Sequence, residues 1–408
     1  MSDGPRRRSV VSVALNRASG TTEILLSDGT VASVPFDETP FDSSSRLVRV
    51  EFIPRLLVLR ATTDAGDHVE YDLPWLDSPA DPLGGRPVVY LDQNKWSAVS
   101  DAQHGGGKAV QPADRDAALR LAELAELRRV VLPASGGHLF ETSKRFDPER
   151  RYRLGRTLAR LSRGWQMRDP VQVRRDELHD MFRQRDGGGT LLRMTPVFTL
   201  DPDVMFGAWR GRATVEPEAR QPSLPPEAEA MSRALVAATV AIDMLLNAER
   251  IPPGDTTAWG TSNLRFSDWL DGSQRDAQQK RDCVDGFLLG DLQRDLAEEA
   301  FAAGSTAQQM SAWVLSEFGA GLGRLKSAAV YREAMHARHL NPGTRWRSND
   351  LIDLLYLSCA AAYADVIVCE RHMAGVLRQA QGRLRRGASV HRELHSAVQA
   401  IEALLPAR

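Results

Sequence analysis

The chain reads as an α/β protein: a small parallel sheet flanked by helices, with a large helical insertion and a small N-terminal β module. Three observations carry this expectation. Short runs rich in Val, Leu and Ile, separated by turn signals, fill residues 9 to about 75. Helical periodicity dominates the rest of the chain. Within it, isolated apolar runs such as "VVYLD" and "DVIVCE" each end on an acid and lead into a new helix, the pattern of strands in a sheet buried on both faces.

The runs "SVVSVAL", "TEILL", "TVASVPF", "RLVRVEFI", "LLVLRAT" and "HVEYDLPW" predict hairpins, broken at "SDG" and "DAGD". They define a module over residues 1–80. "LDSPADPLGGRP" then predicts a linker. A second domain spans 86–376: the strand ending at Asp92, the amphipathic helix "DRDAALRLAELAELRR", a short strand "VVLPAS", and the helices of "GHLFETSKRF" and "RYRLGRTLARLSRGW". A helical insertion of about 170–335 follows, then the strand "ADVIVCE", and residues 377–408 predict a helical tail.

Composition narrows the function classes. A net charge of −1 gives no global pull toward nucleic acid or membrane, so any polyanion must be met by a local patch. Cys283, Cys359 and Cys369 are too few and too scattered for a disulfide framework or a zinc site and suit a reducing cytoplasm. The most apolar stretch, "ALVAATVAIDMLLNA", is short and interrupted by Asp243, so it predicts a buried core helix, not a membrane span. The basic N-terminus lacks the apolar stretch of a secretory signal.

The chemistry-bearing signal is a set of carboxylates. Asp92 ends "VVYLD", Glu141 lies in "GHLFETSKR", Asp350 and Asp353 open "NDLIDLLYLS", and Asp365 and Glu370 bracket "DVIVCE". Asp350 and Asp353 are three apart and can share a helix face. Acids gathered from apolar surroundings repel unless a cation neutralises them, and an all-oxygen donor set suits Mg²⁺ or Mn²⁺. Each acid also has a plainer reading: Asp92 as a helix cap, Glu141 as a solvated residue, Asp353 as the partner of a nearby Arg, Asp365 as a strand cap. "QHGGGKAV" lacks the spacing of a phosphate-binding loop, and Asn94 replaces the second Asp that a haloacid-dehalogenase-type phosphatase would carry.

"VYLDQNKW", "HLFET" and "NDLIDLLYLSCAAAYADVIVCERHM" resemble the acidic motifs of PIN-like domains, the fold of many metal-dependent ribonucleases. The resemblance covers roughly 86–165 and 335–376, while the helical stretch between is longer than a minimal PIN domain holds. It implies a PIN-like sheet and a Mg²⁺- or Mn²⁺-dependent endoribonuclease, with catalytic and metal-binding acids at Asp92, Glu141, Asp350 and Glu370 and with Asp353 and Asp365 as alternates. Asp350 is preferred over Asp353 for its spacing to Glu370. RNA is the implied substrate, with single-stranded DNA and a protein inhibitor or partner as further possibilities. A non-catalytic scaffold binding RNA or protein is the rival from another class; a nucleotide phosphohydrolase is a third.

Two basic stretches would meet nucleic acid. From Lys144 to Arg163 there are eight basic residues against two acids, with Arg153, Arg156 and Arg160 opposite Leu154, Leu158 and Leu161. Arg345 and Arg347 flank Trp346 just before Asp350, where a ring can stack on a base or pack in a core. His138 is placed to orient the helix of Glu141.

Overall fold

The computed structural model describes residues 9–35, 41, 43–73, 82–105, 112–186, 196–201, 226–248, 257–347, 349–385 and 387–406. Half of the expected linker, Gly106 and Gly107 of "QHGGGKAV" and parts of the insertion lie outside these residues. The architecture is mixed α/β, with 13 helices among the described residues, a small parallel sheet and a separate antiparallel sheet of six strands at the N-terminus. Among the described residues, no helix is long and apolar enough to cross a membrane.

The N-terminal sheet comprises β1 (Val10–Asn16), β2 (Thr21–Leu26), β3 (Val31–Pro35), β4 (Leu47–Ile53), β5 (Val58–Thr63) and β6 (His68–Asp72). Its order is β3-β2-β1-β4-β5-β6, every neighbouring pair antiparallel. Only the part around β4 to β6 is strongly buried, whereas β3 is exposed along its whole length.

The parallel sheet is built from β7 (Val89–Leu91), β10 (Val366–Val368) and β11 (Ser389–His391), in the order β11-β10-β7. Parallel bridges from Val88 to Val131 and from Ala134 to Gln166 extend it on the β7 side, so "VVLPAS" joins as a minimal strand. The short ribbon of β8 (Gln166–Met167) and β9 (Phe198–Thr199) continues from there. From β7 the chain steps outward through 131–134 to β8. It later re-enters beside β7 as β10 and steps out the other way to β11. The strand order therefore reverses between β7 and β10, the place where open parallel sheets form a ligand crevice at their carboxyl ends.

Alternation along the strands divides two cores. Val89, Leu91, Val366 and Val368 face one core, shared with α1 (Gln93–His104), α2 (Pro112–Glu126), α4 (Pro148–Ser162), α6 (Pro226–Leu246) and α13 (Leu394–Leu404). Val88, Tyr90, Ile367 and Val390 face the other. That second core contains α5 (Pro170–Arg185), α8 (Ala277–Ala302), α9 (Ala307–Arg324), α10 (Ser327–His339), α11 (Asp350–Tyr363) and α12 (Arg371–Leu384). The remaining helices are α3 (Gly136–Ser143) and α7 (Thr257–Asp271).

The structure departs from the sequence-based expectations in three places. The tail is not purely helical: Ser389–His391 is a sheet strand, too short and polar to stand out as an apolar run. The apolar helix α6 is buried on one side only, with Val236, Val240 and Met244 exposed on the other. The β module is not an appendage. Leu47, Val50, Phe52, Leu59 and Tyr71 lie in the same core as Leu154 and Leu158 of α4 and Ile242 and Leu245 of α6. Gly155 permits the closest approach, since a Cβ there would sit 1.9 Å from the Leu245 carbonyl oxygen.

Candidate acidic site at the reversal of strand order

Asp92 and Glu370 follow the two central strands, β7 and β10, at their carboxyl ends. The Asp92 amide donates to Val368 O at 2.9 Å, tying the two strand ends together. The Asp92 side chain does cap α1: Oδ1 accepts from the Gln93 amide at 2.7 Å. Its Oδ2 faces the Glu370 amide at 3.4 Å. Burial raises the Asp92 carboxyl to about 6; the Gln93 amide works against this, and the Glu370 charge adds to it. The helix cap and a place in an acidic cluster are thus compatible roles of one side chain.

Asp350 and Asp353 arrive on the first turn of α11. Because α11 leads straight into β10, its N-terminal turn returns to the end of the sheet where β10 finishes. The two acids then divide sharply. Asp350 is buried and engaged: Arg338 Nη2 donates to its Oδ2 at 2.6 Å, and so does the Arg347 amide at 2.7 Å. Arg338 also donates to Arg345 O at 3.0 Å and lies over the Trp346 ring at 4.3 Å. Asp350 therefore pins the turn before α11. The Asp353 carboxylate has no hydrogen bond or ion pair among the described residues. Burial raises it to about 7, reinforced by Asp92, Glu141, Asp350 and Glu370. Asp350, preferred from its spacing as the ligand, is thus the arginine-paired member of the two, and Asp353 the one without a partner among the described residues. Asp350 has the arginine partner that the sequence reading allowed for Asp353, because Arg338 lies twelve residues upstream on another helix.

The remaining acids are more exposed or already engaged. Glu141, on α3, accepts from Lys144 Nζ at 2.7 Å, and that ammonium also reaches Asn349 Oδ1 at 3.0 Å. Glu370 is exposed and accepts from Asn94 Nδ2. Asp365 does not join the cluster. It precedes β10, roughly 16 Å of extended chain from Glu370, and its Oδ2 accepts from the Val88 amide at 2.8 Å. It caps the opposite, amino-terminal end of the strands. His138 is 2% exposed, stacks on Tyr90 and has Nε2 2.8 Å from Leu91 O, directly before Asp92. Burial lowers it to about 4, so it is neutral at pH 7 and braces the strand end.

The donor chemistry fits a hard divalent cation: Asp92, Glu141, Asp353 and Glu370 offer only oxygen, and Asp92 and Asp353 lack an ion pair among the described residues. The arrangement is not closed. Among the described residues, no three His, Cys, Asp or Glu side chains form a ready metal-holding group, and Lys144 and Asn94 must yield for all four acids to ligate. Asn94, Lys144 and Arg338 are the site residues that motif reading missed; only Asn94, beside Asp92, carried a local signal.

The basic face of α4 is differently used than expected. Arg153 pairs with Glu149 at 2.9 Å, Arg160 with Glu126 at 2.8 Å, and Arg156 with Asp67 of the β module. Arg163 pairs with Asp72 at 2.9 Å. Arg156 and Arg160 thus hold neighbouring elements, and Arg153 pairs within α4 itself. Arg345 and Arg347 are exposed beside the acidic cluster and, among the described residues, have no acidic partner for their side chains; Arg371 shares this property. Trp346 is 8% exposed and donates to Ser267 Oγ at 2.9 Å, so it packs in the core. Comparison of the chain with protein-family models, with curated proteins and with solved structures found no match.

Proposed function

We propose that the protein is a PIN-like, Mg²⁺- or Mn²⁺-dependent nuclease, an endoribonuclease by preference, working at the reversal point between β7 and β10. The observation that carries this reading is the pair Asp92 and Asp353: two half-buried carboxylates held toward protonation, with no ion pair among the described residues, beside Glu370 and Glu141. A fold retains such a destabilising cluster for a use, and charge neutralisation by a cation is the use its donor set suits. Asp92, Asp353 and Glu370 would hold the ion, and Glu141 would join on release from Lys144. A bound divalent ion would supply the activation of water and the charge compensation that phosphodiester hydrolysis requires. Arg345, Arg347 and Arg371 would receive backbone phosphates at the rim of the site.

A second reading has its own support. Lys144 on Glu141 and Asn94 on Glu370 fill acceptor sites with protein donors, as a non-catalytic scaffold binding RNA or protein would. Incubation with a mixture of single-stranded and structured RNA separates the two. Cleavage with Mn²⁺ or Mg²⁺ that stops with a chelator and in Asp92→Asn supports the nuclease. RNA retained intact by the wild type with either ion supports the scaffold.

A further inference from the structure

A second polar site lies away from the acidic cluster. Between α8, the C-terminal end of α10 and the last turns of α12 is a cavity of about 350 Å³, lined by Arg281, His336, Leu340, Asn341, Gln379 and Arg383 among others. Along α12 it lies roughly 20 Å from Glu370. Its volume is within the range of small-molecule sites.

The wall of this cavity holds polar groups that the protein does not satisfy. His336 is 1% exposed; its Nε2 is 2.8 Å from Asp285 Oδ1, and its Nδ1 is buried with no partner. Arg281 Nη2 donates to both Glu333 oxygens, at 2.8 and 2.9 Å, while Nη1 is buried and unpartnered. Arg383 is half exposed, with Nε 3.9 Å from Glu333. The local acids are already engaged: Asp285 accepts from Arg332 at 2.6 and 2.7 Å, and Glu333 accepts from Arg332 at 2.8 Å as well as from Arg281. Arg281 and Arg383 therefore bring two guanidinium groups to the cavity wall, beside carboxylates that are already engaged. With Nε2 engaged by Asp285, the His336 Nδ1 is the ring atom left for a further hydrogen bond.

We propose that this cavity binds a phosphate-bearing small molecule, a phosphomonoester about the size of a mononucleotide. Its oxyanion would accept from Arg281 and Arg383, pairings that guanidinium geometry favours. A P–OH or sugar hydroxyl would donate to His336 Nδ1, leaving no buried group in the wall unsatisfied. The proposal is independent of the nuclease reading.

Calorimetric titration of the full chain with AMP, inorganic phosphate and adenosine tests it, using the wild type, Arg281→Gln, Arg383→Gln and Asp353→Asn. The expected result is one-site binding of AMP, weakened at least tenfold by each arginine substitution, unchanged in Asp353→Asn, and absent for adenosine. Arg383→Gln removes a half-exposed side chain, so it reports on the site even where Arg281→Gln loosens the Glu333 cluster. AMP binding tighter than inorganic phosphate assigns the site to an ester, and equal binding assigns it to the bare oxyanion. Failure of both phosphate probes to bind, or affinity untouched by both arginine substitutions, overturns the proposal.

Discussion

At the scale of residues, the contrast between Asp350 and Asp353 decides how the acidic site is understood. Both stand on the first turn of α11, yet Arg338 neutralises Asp350 while Asp353 faces other acids. An unfolded Asp titrates near 3.9, so raised carboxyls bind more protons in the folded state between that value and their folded pKa. Stability contributed by protonated Asp353 is therefore full below about pH 4. It is lost as pH rises to about 7; for Asp92 the loss is complete by about 6. Without added metal, Asp353→Asn is expected to melt higher than the wild type at pH 8, by on the order of 2 kcal/mol, and to differ little at pH 4. Asp350→Asn strips Arg338 of its partner and is expected to destabilise by about 3 kcal/mol. Thermal melts at the two pH values check both. A destabilised Asp353→Asn at pH 8 would mean that its carboxylate has a partner after all.

At the scale of elements, the arginines separate by what their neighbours supply. Arg156 and Arg160 of α4, and Arg163 just after it, face Asp67 before β6, Glu126 of α2 and Asp72 of β6. Periodicity marks a charged helix face but is silent on acids delivered by other elements, which is why that face read as open to phosphate. Arg345 and Arg347 sit on a turn that Asp350 pins, next to the acids. Replacing both with Gln is expected to lower the slope of log affinity against log salt for a short single-stranded RNA, by about 0.7 for each phosphate no longer neutralised. Arg153→Gln with Arg160→Gln is expected to leave the slope unchanged. Filter binding on an Asp92→Asn background gives both slopes, and the opposite pattern would move the RNA path to α4. The same distinction explains what was legible beforehand. Strand ends at Asp92 and Glu370 are written in local apolar runs, and the acid pair on α11 in its spacing. The partnership of Arg338 with Asp350, the strand Ser389–His391 and the placing of Asp365 at the amino end of the strands all depend on interactions between distant segments.

At the scale of the whole molecule, one sheet serves as the wall between two cores, and each core has its own cover. Helices α1, α2, α4, α6 and α13 close one side, with the β module packed against α4 and α6; α5 and α7 to α12 close the other. Parallel strands need both faces covered, so the module belongs to the sheet's support although every candidate ligand lies after it. Deletion of residues 1–80 is accordingly expected to give insoluble protein, since it uncovers Tyr152, Leu154 and Leu158 of α4 and Ile242 of α6. A soluble fragment with a cooperative melt would show that α4 and α6 close that core unaided. The central claim is that this two-sided scaffold holds Asp92 and Asp353 ready for a divalent cation. The most direct measurement is the melting temperature of the full chain at pH 7.5, with Mn²⁺ or with chelator, in the wild type, Asp92→Asn and Asp353→Asn. A cation at a hundredfold excess over its Kd adds about 2.7 kcal/mol. The wild type is expected to gain several degrees with Mn²⁺, and each variant is expected to lose most of that gain. A wild type indifferent to Mn²⁺, or an equal rise in Asp353→Asn, would contradict the claim.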